Sequence, residues 1–201
     1  MQSSLGKRRT VLDQHWRTLA VNAVYEQYRQ AGEQHWIAAR GDSMRPLITP
    51  ESRLLVAFGA QPRALGEIIL FREGERLIAH RWVARRGTSF IAKGDAEAFC
   101  DAPFSAEAIL GVVRALRRNA NAPASSLCCT GPLATAIARC SWWLGRSAAW
   151  ARRISLRTPT PLRFVAQCAA PLTRVVARVI LQPIAWAAQI NNLYENSNGR
   201  G

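Results

Sequence analysis

Paired cysteine motifs are missing from this 201-residue chain. Its five cysteines are odd in number, Cys128 and Cys129 are adjacent, and no Cys-x-x-Cys spacing occurs. That argues against a disulfide framework or a zinc site and for reduced thiols packed as small apolar groups. No apolar run reaches the roughly 18 residues that an ordinary membrane-spanning helix needs. After Lys7, Arg8 and Arg9 the chain carries Asp13, Gln14 and His15 instead of an apolar stretch, so no export leader is expected. Acidic residues also run out along the chain. Residues 1–35 hold five basic and three acidic groups, residues 36–116 eleven and nine, and residues 117–201 eleven and one. The net charge of +14 is therefore concentrated in an arginine-rich tail, which suggests an anionic partner.

The chain is 49% hydrophobic and 20% charged, enough apolar material for a packed core. Thr10 and Asp13 form a helix start signal, Leu12, Trp16, Leu19 and Ala23 follow helical spacing, and Gly32 supplies a stop. The spacing predicts a helix over 10–31. Short runs rich in Ile, Leu, Val and Phe come next. They predict strands at His35–Ala39, Arg53–Phe58, Glu67–Arg72, Leu77–Ala84, Ser89–Ala92 and Ile109–Ala115. Hairpins are expected around Glu73-Gly74-Glu75 and Arg86-Gly87-Thr88. Little helix separates these strands, so the expectation is a mainly β, mainly antiparallel domain.

Residues 117–130 lack periodicity and read as a linker. Two helical segments are predicted beyond it, about 132–156 and 161–190. In the first, Arg139, Arg146 and Arg153 share one face while Ile137 and Leu144 lie on another stripe. In the second, Arg163, Arg174 and Arg178 share an arc, with Pro171 and Pro183 as kinks. The expected organisation is an N-terminal helical segment (1–34), a β-rich domain (35–116), a linker (117–130) and an amphipathic helical extension (131–201). Trp142, Trp143, Trp150 and Trp186 accompany the arginines. Arginine with tryptophan on amphipathic helices suits an anionic membrane surface. Packing against the β domain is the competing reading, and nucleic acid is a weaker one. The corresponding location is the cytoplasm or the periphery of a membrane.

The chemistry concentrates in the string Gly41-Asp42-Ser43-Met44-Arg45-Pro46-Leu47-Ile48. A serine in a glycine-containing turn after a strand can expose its hydroxyl, although such a turn can equally hold a serine that only bonds locally. Two further segments shift the balance. Leu77-Ile78-Ala79-His80-Arg81-Trp82-Val83 places His80 on a strand. Phe90-Ile91-Ala92-Lys93-Gly94-Asp95 is followed by Asp101 and then by Ile109-Leu110-Gly111-Val112-Val113.

In order, residue type and spacing these segments resemble the signal peptidase I superfamily over residues 35–116. The closer likeness is to the archaeal and endoplasmic-reticulum branch, which uses a Ser–His pair; bacterial members typically have lysine-arginine where this chain has His80-Arg81. The resemblance implies a signal-peptidase or repressor-type β domain. In it Ser43 attacks a peptide carbonyl, His80 acts as general base, Asp101 orients the imidazole and Asp95 supports the site. It implies a polypeptide substrate, a leader or signal segment with small side chains near the scissile bond, and calls for no cofactor and no metal. Gly41 stands where bacterial members often carry a serine that donates to the oxyanion, so backbone donors are implied here. Members normally carry an N-terminal membrane anchor, and no such apolar run precedes the domain.

The roles are chemically coherent. A serine hydroxyl is a weak nucleophile until a neighbour takes its proton, and a carboxylate on the far imidazole nitrogen fixes the tautomer that can do so. Lys93 is an alternative base only if burial lowers its pKa by several units. His35 reads as a packing residue, His15 as exposed or structural, and Asp42 as a residue that shapes the turn. Two other functions stay open: a self-cleaving repressor-like regulator, with Ala31-Gly32 as the cleavage pair, and a non-catalytic binding module.

Overall fold

A computed structural model describes residues 2–126 and 131–157. The expected helix at 161–190 and its arginine arc lie outside the described residues, as do linker positions 127–130. Helix α1 (Gln2–Ala31) begins well before the Thr10 signal. Lys7, Arg8 and Arg9 are good helix formers, so a cap-like pair does not oblige the helix to start there. Its end follows expectation. Gly32 adopts φ 67°, the Gly32 N–H donates to Arg29 O and the Glu33 N–H donates to Tyr28 O, which closes a Schellman motif.

The chain then forms six strands: β1 (Gln34–Ala38), β2 (Arg53–Phe58), β3 (Ile68–Glu73), β4 (Arg76–Arg86), β5 (Ser89–Lys93) and β6 (Ile109–Arg117). All pairings are antiparallel, in the order β1-β2-β6-β3-β4-β5. The fold is mainly β with an N-terminal helix. Both expected hairpins form, β3–β4 with Glu73 opposite Arg76 and β4–β5 with Arg86 opposite Ser89.

The unbroken apolar runs of β3 and β6 have a simple cause: both faces of the sheet are covered. Ile68, Leu70, Leu110 and Val113 point into one core with Met44, Leu54, Val56 and Phe58. Ile69, Phe71, Ile109 and Val112 point into the other with Trp82 and Phe90. Successive residues of β3 thus face opposite cores, and in β6 the alternation changes phase between Leu110 and Val112, at the bulge opposite Leu70/Phe71. Bulges at Leu55/Val56, Leu70/Phe71 and Trp82/Ala84 interrupt the register, and such bulges bend strands and increase their twist.

Beyond β6, Leu116 pairs with Ser125 in an isolated bridge, so the linker segment starts by folding back on the sheet. Helix α2 (Gly131–Arg157) lies against β4 and β5. Ala138 packs with Val83 and Ile91. The Thr135 hydroxyl donates to Leu65 O. A Cβ on Gly66 would stand 2.2 Å from the Ala134 carbonyl carbon, so the approach of α2 needs glycine there. The first part of the basic extension is therefore joined to the β domain through a packed interface.

Candidate active site

Three stretches far apart in sequence meet beside the first half of β4. Ser43 sits in the turn after β1, His80 within β4 and Asp101 in the loop after β5. Ser43 Oγ lies 2.9 Å from His80 Nε2, and His80 Nδ1 lies 2.7 Å from Asp101 Oδ2. With Asp101 ionised, Nδ1–H donates to the carboxylate and leaves Nε2 as the acceptor for the serine proton. His80 is 7% exposed, while Ser43 and Asp101 are half-buried.

The backbone fixes this chain of side chains. Gly41 takes φ 78°, which turns the strand end into the serine loop. Asp42 shapes that turn, accepting the Arg45 N–H on its carbonyl and the Arg45 guanidinium on its carboxylate. Met44 and Leu47 are buried beneath it. On the other side, the Ala96 N–H donates to Ser43 O, and the Asp95 N–H approaches Met44 Sδ at 3.4 Å. A Cβ on Gly94 would stand 2.6 Å from Ser43 O and 3.0 Å from His80 Nε2. Only glycine lets the strap from Lys93 to Glu97 lie this close. The Asp101 N–H donates to Ala92 O, which sets the carboxylate behind the imidazole. The Ser43 and Met44 N–H groups donate to no backbone carbonyl among the described residues.

Asp95 does not join the Ser43–His80–Asp101 chain. Its two carboxylate oxygens accept from Arg81 Nε and Nη2 at 2.9 and 2.7 Å, and Arg81 Nη1 donates to Gly66 O. Both side chains are buried. Asp95 supports the site as half of an internal ion pair that holds the strap onto β4. Lys93 Nζ donates to Gly94 O and to the Ser141 hydroxyl of α2, each at 3.1 Å. Burial lowers its pKa, and nearby Asp95, Cys100, Glu97 and Asp101 oppose that shift. The serine hydroxyl is held by His80 and not by Lys93. His35 packs as expected, with its ring 3.7 Å from that of Tyr28 and Nε2 2.6 Å from Glu33 Oε2. His15 lies on α1. Ala31 and Gly32 are occupied by the end of that helix.

A groove of about 1870 Å³ opens beside Ser43. Its walls are α1 at Thr18, Val21, Asn22 and Tyr25, the end of β1 at Ile37 to Arg40, and the first half of β4 at Arg76 to His80. Met44, Ile48, Leu54 and Leu70 also line it, as does the exposed Phe99. Two strand edges border this space. β1 ends the sheet, and β5 pairs with β4 only from Arg81 onward, which leaves Arg76–His80 without a strand on that side among the described residues. Three features were invisible in the sequence: the α1 wall, the Arg81–Asp95 pair and the grip of Ser141 on Lys93. Gly94 offered a signal for the close strap, and Ser141 and Gly145 on one side of α2 offered one for its approach.

Among the described residues no group of His, Cys, Asp and Glu is arranged to hold a metal ion, and no helix is long and apolar enough to cross a membrane. Comparison of the chain with protein-family models, with curated proteins and with solved structures returns no match.

Proposed function

We propose that this protein is a serine hydrolase, and that within that class it is an endopeptidase similar to signal peptidase I. The observation that carries the reading is the continuous hydrogen-bond chain from Ser43 through His80 to Asp101. His80 Nε2 takes the proton as Ser43 Oγ adds to a carbonyl carbon, and Asp101 stabilises the imidazolium formed. The imidazolium then protonates the departing amine, and water repeats the sequence to release the acyl group. Backbone N–H groups of the Ser43 turn are the candidate oxyanion donors, a contribution of about 3–4 kcal/mol for each well-placed donor.

The groove favours a polypeptide as the substrate. An extended main chain laid between β1 and Arg76–His80 meets two strand edges that carry no further strand among the described residues, the mode of recognition known as strand addition. The lining at Ile37, Met44, Leu54 and Leu70 offers apolar contact for alternate side chains. A leader or signal segment with small residues at the scissile bond fits this reading through the resemblance of residues 35–116 to that superfamily. An acylating serine probe should label Ser43 and no other serine, and Ser43→Ala should abolish both labelling and cleavage of leader-type peptides. Normal cleavage by that variant would end the proposal.

A further inference from the structure

Helix α2 has two faces of opposite character. Ala134, Ala138, Ser141 and Gly145 are buried against the β domain, and Ile137 is buried beside Leu133 and Leu144 of the same helix. Arg139, Trp143, Arg146 and Trp150 are all exposed, and at 100° per residue they fall within an arc of about 60°. Trp143 is 70% and Trp150 68% exposed, unusual values for the largest side chain. Arg139 and Arg146 form no salt bridge among the described residues; the Arg146 guanidinium stands 5.4 Å above the Trp142 ring. The helix sequence contains five arginines and no Asp or Glu.

We propose that this outward face is a docking surface for an anionic lipid bilayer, with α2 lying in the plane of the interface. Both halves of the stripe match that medium. Indole rings settle at the level of the headgroups, with the apolar body inward and the N–H outward, and guanidinium groups pair with lipid phosphates. Full spanning is not needed and not available, because the inner face of α2 is already spent on Val83 and Ile91 of the sheet. A nucleic-acid duplex would engage the guanidinium groups but offers no apolar layer for two indoles projecting from a convex ridge. The attachment would leave the Ser43 groove in use, since none of the four outward residues lines it.

The full chain should sediment with phosphatidylcholine vesicles containing about 30 mol% phosphatidylglycerol and not with phosphatidylcholine alone. Trp143→Ser with Trp150→Ser should weaken that binding about ten-fold or more, and Arg139→Ser with Arg146→Ser should weaken it and flatten its salt dependence. All four side chains are exposed, so far-UV circular dichroism and thermal midpoints should match the parent; a variant that melts early is replaced by Trp143→Gln with Trp150→Gln. Undiminished vesicle binding by folded double variants, with residues 158–201 making the contact instead, would overturn the proposal. So would indifference of the parent to anionic vesicles. Retention on duplex DNA that the same substitutions abolish, with vesicle binding untouched, would reassign the face to nucleic acid.

Discussion

Two aspartates in the same loop region separate cleanly at the scale of single residues. Asp101 meets the imidazole and remains partly open to solvent, whereas both oxygens of Asp95 are committed to the buried Arg81 guanidinium. Asp101→Asn keeps size and shape but cannot hold the imidazole in the tautomer that accepts the serine proton. It should lower kcat by about 10⁴-fold with little change in stability. Asp95→Asn leaves a buried cation without its counter-ion and should cost about 3–5 kcal/mol of folding free energy. Peptide hydrolysis and urea midpoints on both variants check this; a kcat loss shared equally by the two would refute the division.

Lys93 gives a second expectation at this scale. Its folded-state pKa is lowered, chiefly by burial, so the unfolded chain holds the proton more tightly. Stability is therefore lowest below the folded value and rises as pH climbs from it towards the ordinary lysine value of 10.5. Lys93→Met removes that dependence. Urea midpoints should rise with alkaline pH more steeply for the parent than for the variant, and parallel curves would count against the assignment. Ser43 and His80 were legible as candidates because each stands in a short string with its own residue order, whereas Asp101 was singled out through the family resemblance. The work of Asp95 was not, since nothing in the string reveals that its partner Arg81 is fully enclosed.

Elements are tied together here by small residues as much as by large ones. Gly66 takes φ 99° just where the backbone of α2 passes, and its missing side chain would collide with Ala134 and Thr135. Gly66→Ala must adopt a conformation that side chains resist and also displace a helix, so a loss of about 3 kcal/mol is expected. Thermal denaturation of that variant is the direct check, and an unchanged midpoint would mean that α2 is not seated on the sheet. The strands themselves were readable within a residue or two, because covered sheet faces demand continuous apolar runs such as Ile68-Ile69-Leu70-Phe71 and polar turns punctuate them. The seat of α2 was not readable in the same way. Its closest contacts use Ala134, Ala138, Ser141 and Gly145, residues too small to dominate a hydrophobic stripe; of its large side chains Leu133 and Trp142 pack on the domain, while the tryptophans at 143 and 150 point outward. The start of α1 was misplaced for another reason: local capping signals are permissive, and good helix formers upstream extend the helix through them.

At the scale of the molecule, sequence order and spatial order disagree in an instructive way. The last strand, β6, lies between β2 and β3 in the middle of the sheet, so the halves that carry Ser43 and His80 join through it. Ser43 follows β1 at one end of the strand order, and Asp101 follows β5 at the other. No local piece of chain can hold these groups within hydrogen-bond reach. The long-range pairing of β6 and the closure of the strap from Lys93 to Glu97 over the Ser43 turn must both be in place. Formation of the site and formation of the sheet should accordingly be one cooperative event. Titration with urea tests this: labelling of Ser43 by an acylating probe should vanish over the same denaturant range in which the far-UV signal of the sheet is lost. A site that disappears at distinctly lower urea, with the sheet signal intact, would show instead that the serine turn opens independently, as loops of low local stability do. The hydrogen bond from Ala96 to Ser43 and the close packing of Gly94 argue for the cooperative result, because opening the turn exposes the buried Met44 and breaks the strap on the same stroke.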